Sequence, residues 1–240
     1  MRRALLAELS KLQTLPLTAY AAAGMVVVGE LVAAAFAGLR AEGGGAVSAV
    51  DAALEAMPYA QAGAILLGVV PVSQEYLGRQ FGTTLITVPR RMRVIVAKTV
   101  AAVIVLLLVG TLTVAVAWVA AGLTLVVADA DAVAATTEDL GRFGGAVAYL
   151  VLIGLLAHAV TLVLRHLVPA LVTMLVVAYI LPFALTALGE HARWLPTRAG
   201  SQLFAPDDTV LTVLTGALVL LAWAAVIGIA GAARFTLSDA

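Results

Sequence analysis

Six long apolar runs, separated by shorter polar stretches, dominate the sequence and leave few architectures open to it. They cover residues 15–39, 58–75, 94–127, 143–164, 167–188 and 209–233. Crossing a bilayer core takes about 20 mostly apolar residues in an α-helix, and a backbone inside lipid must satisfy its own polar groups. The pattern predicts an all-α polytopic membrane protein with six transmembrane helices in a single transmembrane domain, residues 1–240. Only 12% of the residues are charged, against roughly a quarter in a soluble domain, and mean hydropathy is +1.09. The second run is short and holds Gln61 and Pro71, and the amphipathic lead-in 52–57 adds length to it. The third is overlong, so its first two turns are expected to project into the cytoplasm, with Lys98 snorkelling at the interface. Arg165 and His166 leave a tight connection that makes the fourth and fifth runs an antiparallel hairpin. Pro169 suits the first turn of the fifth span and Pro182 is expected to bend its far end.

Residues 1–14 read as an N-terminal amphipathic elbow helix at the membrane surface. Leu5, Leu6, Leu9 and Leu12 share one face, with Arg2, Arg3, Glu8 and Lys11 among them in an amphipathic pattern. The apolar run that follows is longer than the core of about 7–15 residues in a secretory signal, so it reads as an uncleaved span. Basic residues set the orientation. With the N-terminus inside, Arg2, Arg3, Lys11, Arg79, Arg90, Arg91, Arg93, Lys98, Arg165 and Arg234 are cytoplasmic, ten against four outside. An even number of spans returns the C-terminus to the cytoplasm. Formal net charge is zero, so nucleic acid is not an expected partner. The chain has no cysteine, which excludes a disulfide, an iron–sulfur cluster and a thiol nucleophile.

Between the second and third runs, residues 73–98 obey helix rules that topology alone does not require. Ser73 is placed to cap a short helix, and Glu75 would then lie in its first turn, where the dipole favours an anion. Glu75 and Arg79 stand four apart in the favourable acid-first order. Leu77, Phe81 and Leu85 form an apolar stripe, and Pro89 limits continuation. Arg90, Arg91, Arg93 and Lys98 follow as a basic cluster, suited to anionic lipid at about 1 kcal/mol per residue or to a protein partner.

This segment resembles the first cytoplasmic loop of bacterial ABC-transporter permeases of the type-2 exporter family. The matching residues are Glu75, Tyr76, Gly78, Arg79, Gln80, Thr83, Thr84, Leu85, Val88, Pro89, Arg90, Arg91, Ala97 and Lys98. The resemblance implies that 76–90 is a cytoplasmic coupling helix docking on a separate ABC ATPase (nucleotide-binding) subunit. Glu75, Tyr76, Leu77, Gly78, Arg79, Phe81 and Leu85 would carry the coupling contacts. No cofactor is expected in this chain, and ATP and Mg would reside on the partner. It further implies a bacterial cytoplasmic membrane, a second permease copy or paralogue, and export of a hydrophobic or amphipathic substrate. The external loop 189–208 contains Leu195-Pro-Thr-Arg-Ala-Gly-Ser-Gln, similar to a segment that in those permeases belongs to a partly re-entrant cap at the exit. Trp194, Leu195 and Pro196 are therefore candidate gate residues, although Trp194 and Leu195 also fit an ordinary loop with an interfacial anchor. The Leu-Ser-Asp-Ala tail departs from relatives, which often carry basic residues there.

Glu30 is the one acid well inside a run, and intramembrane carboxylates are costly enough to be functional candidates. Two readings stand: a hydrogen-bonded or hydrated structural acid, and a contact for substrate or protons. His158 likewise reads as a satisfied core histidine or as a pocket residue. Trp118 and Trp223, away from the run ends, read as packing residues, and small residues such as Ala117 and Ala121 permit the close helix approach that dimerisation needs. Lys11 and Lys98 are the only lysines and neither ends a phosphate-binding loop, so any ATP would be hydrolysed by another polypeptide. No nucleophile–base pattern points to an enzyme. Two rivals remain: a secondary transporter using Glu30, and a non-transporting immunity or scaffold protein.

Overall fold

The structure, a computed structural model, describes residues 2–77, 91–184, 191–207 and 210–237. In chain order the elements are α1 (Arg2–Thr14), α2 (Pro16–Glu42), β1 (Val47–Ser48), α3 (Ala49–Glu55), α4 (Met57–Leu77) and α5 (Arg91–Val127). There follow β2 (Ala132–Val133), α6 (Thr137–Leu164), α7 (Leu167–Leu175), a π-helical turn (Val176–Ile180), α8 (Leu181–Ala184), α9 (Pro196–Ser201) and α10 (Val213–Leu237). The protein is an all-α polytopic chain. Five helices are long and apolar enough to cross a membrane, and α3 with α4, bent by 45°, makes six if counted as one broken span. Counted in that way, the short second run gains its length from a separate helix, in which Ala52, Ala53 and Leu54 are buried in the core.

Small residues let the long helices approach closely. Along α2 the buried positions are Thr18, Ala21, Met25, Gly29, Ala33 and Ala37, recurring every three or four residues. They meet α5, where Thr113, Ala117 and Ala121 are fully buried and the Thr113 methyl lies over Gly29. Ala117 and Ala121 therefore serve packing within the chain. Their surface is consumed and offers nothing to a second copy, contrary to the expectation from sequence. The tightest crossing joins α4 to α6: a Cβ placed on Gly68 would lie 2.0 Å from the Gly154 carbonyl oxygen. Beside this crossing, Gln61 is not a flaw in the second span, because its buried Oε1 accepts a 2.6 Å hydrogen bond from Tyr149 Oη.

Breaks in the helices follow local chemistry. Arg165 adopts a left-handed conformation (φ 61°), and its N–H closes α6 on Thr161 O, which makes the expected two-residue turn into α7. Pro182 has no N–H to donate to Ala178. The turn before it widens so that Leu181 N–H reaches back to Val176 O, a π-type bond. At the far end of the bundle, away from α1, β1 and β2 pair in parallel and tie the loop after α2 to the loop after α5. Asp139 Oδ2 accepts from Thr136 N–H at 2.8 Å and caps the start of α6.

The crossing of α4 and α6 gives a direct test. Gly68→Val is expected to lower stability by about 1–3 kcal/mol or more through overpacking, read as a fall in the detergent thermal midpoint. A Cβ on Gly24 meets nothing within 4 Å, so Gly24→Ala is expected to leave the midpoint unchanged. Equal midpoints for the two variants would contradict the close approach.

Candidate functional site

The near end of the bundle, where α1 lies, holds a buried charge network. The helical face of α1 formed by positions 5, 8, 9 and 12 turns inward, and Leu6 points outward instead of joining the apolar face as expected. Glu8 occupies the middle of the inward face. Lys98, two turns into α5, extends its ammonium to Glu8 Oε2 at 2.6 Å and to the Pro71 carbonyl of α4 at 3.0 Å. The other Glu8 oxygen takes a 3.1 Å bond from Lys11 Nζ. Lys98 and Glu8 side chains are only 5% and 8% exposed, so Lys98 does not snorkel to the interface. Its ammonium lies inside the protein, where a carboxylate and a carbonyl replace its water. Next to it, Thr99 Oγ1 lies 3.2 Å from His158 Nε2, and His158 is buried, while its Nδ1 has no hydrogen-bond partner among the described residues.

Burial would raise the Glu8 carboxyl, but the Lys98 ammonium beside it, together with hydrogen bonds from Lys98 and Lys11, holds it below its ordinary 4.5. A folded-state value below the unfolded one contributes stability that is present above about pH 4.5 and is lost as pH falls through the lowered value.

The same helices flank the predicted coupling segment. Backbone helix α4 runs through Leu77, so Glu75, Tyr76 and Leu77 form its last turn. Ser73 is therefore not an N-cap: it sits inside α4, buried, with Oγ donating to Val70 O at 3.3 Å. Glu75 accordingly stands at a helix C-terminus and not in a first turn. Gly78, Arg79, Phe81, Leu85 and Arg90 lie outside the described residues, and Arg91 and Arg93 belong to the first turn of α5.

Glu30 lies midway along α2 on its outward face, beside exposed Val27, Val28 and Leu31. It is separate from the network around His158, so the two suggested pathway residues do not meet.

At the far end, α9 folds back into the bundle. Pro196 occupies its first turn, and Pro196, Thr197, Ala199 and Gly200 are buried, Gly200 against Tyr149 of α6 and Leu220 of α10. Phe204 packs on Tyr149 with ring centroids 5.1 Å apart and the planes tilted by 56°. Leu195 is buried, whereas Trp194 is exposed, with the Arg193 guanidinium 5.5 Å over its ring. Trp223 Nε1 donates to Trp194 O at 3.1 Å, which fixes the start of this segment on α10. The segment is thus an inserted element and not a plain surface loop.

Sequence reasoning overlooked Glu8 and a second far-end network around Arg142. The former had a visible sign, since an acid in the centre of an apolar helical face demands a cation. Arg142 Nη2 donates to Asp51 Oδ1 at 2.7 Å and Nη1 to Asp139 Oδ1 at 3.2 Å, while Nε donates to Phe204 O at 3.3 Å. Only the Asp139 partner, three residues away, had a readable spacing. No protein-family model matches the sequence, and no curated protein matches it either.

Removing one member of the near-end pair takes from the other, still buried, its 2.6 Å charge partner. Lys98→Met and Glu8→Leu are each expected to cost up to about 3–5 kcal/mol, Lys98→Met the less because Lys11 still faces Glu8, and the double variant less than either. Thermal melts of all four forms in one detergent measure this. Strict additivity of the two losses would mean that the side chains do not interact. Acidification below about pH 4.5 is expected to destabilise wild type and leave the double variant less affected.

Proposed function

We propose that the chain is the membrane-spanning permease subunit of an ATP-driven exporter. It would lie in a bacterial cytoplasmic membrane with both termini inside and act with a separate ATPase subunit and a second permease. The reading is carried by the ordered residue series from Glu75 to Lys98 between two long apolar helices. It gains physical content from what holds those helices. Lys98 bonds α4 through Pro71 O and α1 through Glu8, so the helices entering and leaving the series are tied to each other and to α1. A push on the intervening segment by a closing ATPase pair would reach three helices as one lever. Cargo of hydrophobic or amphipathic character would leave past Trp194, Leu195 and Pro196.

Glu30 supports a paired assembly. Intramembrane carboxylates seldom face lipid, and a second permease or a hydrated path between two copies would shelter this exposed one. Its position also keeps an ion-coupled transporter as a second reading. The two separate cleanly: an ion-coupled transporter fails when the proton gradient collapses and survives loss of the ATPase.

Glu75→Ala combined with Phe81→Ala is expected to leave the protein in the membrane. Loss of two central contacts at about 1.4 kcal/mol each would weaken ATPase association by roughly 100-fold, with a matching fall in transport. Co-purification of the ATPase and transport in reconstituted vesicles measure both. Transport at the wild-type rate would sink the assignment.

A further inference from the structure

Two cavities of the far end adjoin. One is a polar cleft of about 530 Å³ beneath the β1–β2 pair, lined by Arg40, Ser48, Asp51, Asp139 and Arg142. The other is an apolar groove of about 530 Å³ between α5 and α6, lined by Leu107, Val114, Trp118, Leu140, Phe143 and Val147. Thr136, at the start of α6, belongs to both walls, so the polar space lies directly beside the apolar one. Trp118 leans on Phe143 with centroids 5.6 Å apart, and each presents apolar surface to the groove.

The geometry points to a binding site for one phospholipid with an amine-bearing, zwitterionic headgroup, drawn from the bilayer. Charge selects the headgroup. Arg40 and Arg142 face Asp51 and Asp139 in the cleft, so a purely anionic group would meet two carboxylates and a purely cationic one two guanidinia. Asp51 lends one oxygen to Arg142 yet is 42% exposed, and Arg40 engages Glu55 through Nη2 yet is 37% exposed. The Arg40 guanidinium retains donors for a phosphate, and the Asp51 carboxylate retains acceptor capacity for an ammonium. Length selects the tail. From Trp118 to Leu107, eleven residues of α5, the groove runs about 16 Å at 1.5 Å per residue. Half of a hydrocarbon core about 30 Å thick is nearly the same. A headgroup in the cleft thus lays one acyl chain along α5 to mid-bilayer.

Native mass spectrometry of the purified full chain, titrated with phosphatidylethanolamine or phosphatidylglycerol of identical acyl chains, tests this. One phosphatidylethanolamine per chain is expected to be retained, with at least a tenfold preference over phosphatidylglycerol. Groove filling should remove it. A Cβ on Gly144 meets nothing within 4 Å, so Gly144→Phe is expected to fold and to lose binding tenfold or more. Ala115→Trp, at another exposed groove position, is the second such variant should the first not fold. Arg40→Gln with Asp51→Asn is expected to abolish the headgroup preference while leaving residual binding of either lipid. Equal retention of the two lipids by wild type, or undiminished binding by a folded groove-filled variant, would overturn the proposal. Displacement by millimolar soluble phosphoethanolamine would overturn it too, since it would place the binding in the cleft alone.

Discussion

A single buried ammonium joins the near end of the bundle. Lys98 binds Glu8 and the Pro71 carbonyl, and through them it holds α5 against both α1 and α4. Taking two charges out of water costs several kcal/mol per ion, so the pair persists only because each charge finds more than one partner. Glu8 also receives Lys11, and Lys98 also reaches a backbone oxygen. Proline contributes to this arrangement in a second way. Pro71 has no N–H for Leu67, so α4 lacks one backbone bond in the turn that precedes the carbonyl presented to the lysine.

Elsewhere the bundle is held by close contact between small residues. Lipid supplies no hydrophobic drive between helices, so packing and a few polar links must do so. The Gly68–Gly154 crossing and the small-residue stripe of α2 on α5 provide the packing. Tyr149–Gln61 and the reciprocal bonds of Arg165 to Arg234 O and Arg234 to Val163 O provide polar links. Both kinds engage α6, which is the most buried of the five helices that on their own are long and apolar enough to cross a membrane.

The sequence made the long helices and the tight Arg165–His166 turn legible, because hydropathy and turn length are local properties. Helix bounds were displaced where polar residues continue a helix beyond its apolar part. Thr137 opens α6 six residues before the apolar run at 143, and Glu75 to Leu77 extend α4 past Ser73. Local reading assigned Ser73 a capping role because it could not see that the helix was already under way. It placed Lys98 in the interface because the carboxylate that buries it lies 90 positions away. Arg142 was missed for the same reason: its Asp51 partner is 91 positions distant and on another element. Small residues such as Ala117 were legible as contact-makers, but not which surface they contact.

The parallel pairing of β1 with β2 has a mechanical consequence. Val47 and Ser48 precede α3, and Ala132 and Val133 precede α6, so two otherwise independent loops form a stitched rim. Arg142 adds a cross-brace from α6 to Asp51 just below it. Helices α2, α3, α5 and α6 therefore cannot splay at this end without breaking both backbone pairing and an ion pair. The sector that packs on α4 and α6 is built differently. There α7 buries only Ala170 and Met174, and the widened turn before Pro182 interrupts the regular helix. Stiffness is thus distributed unevenly around the circumference, and the compliant sector is the one that contains α7 and α8.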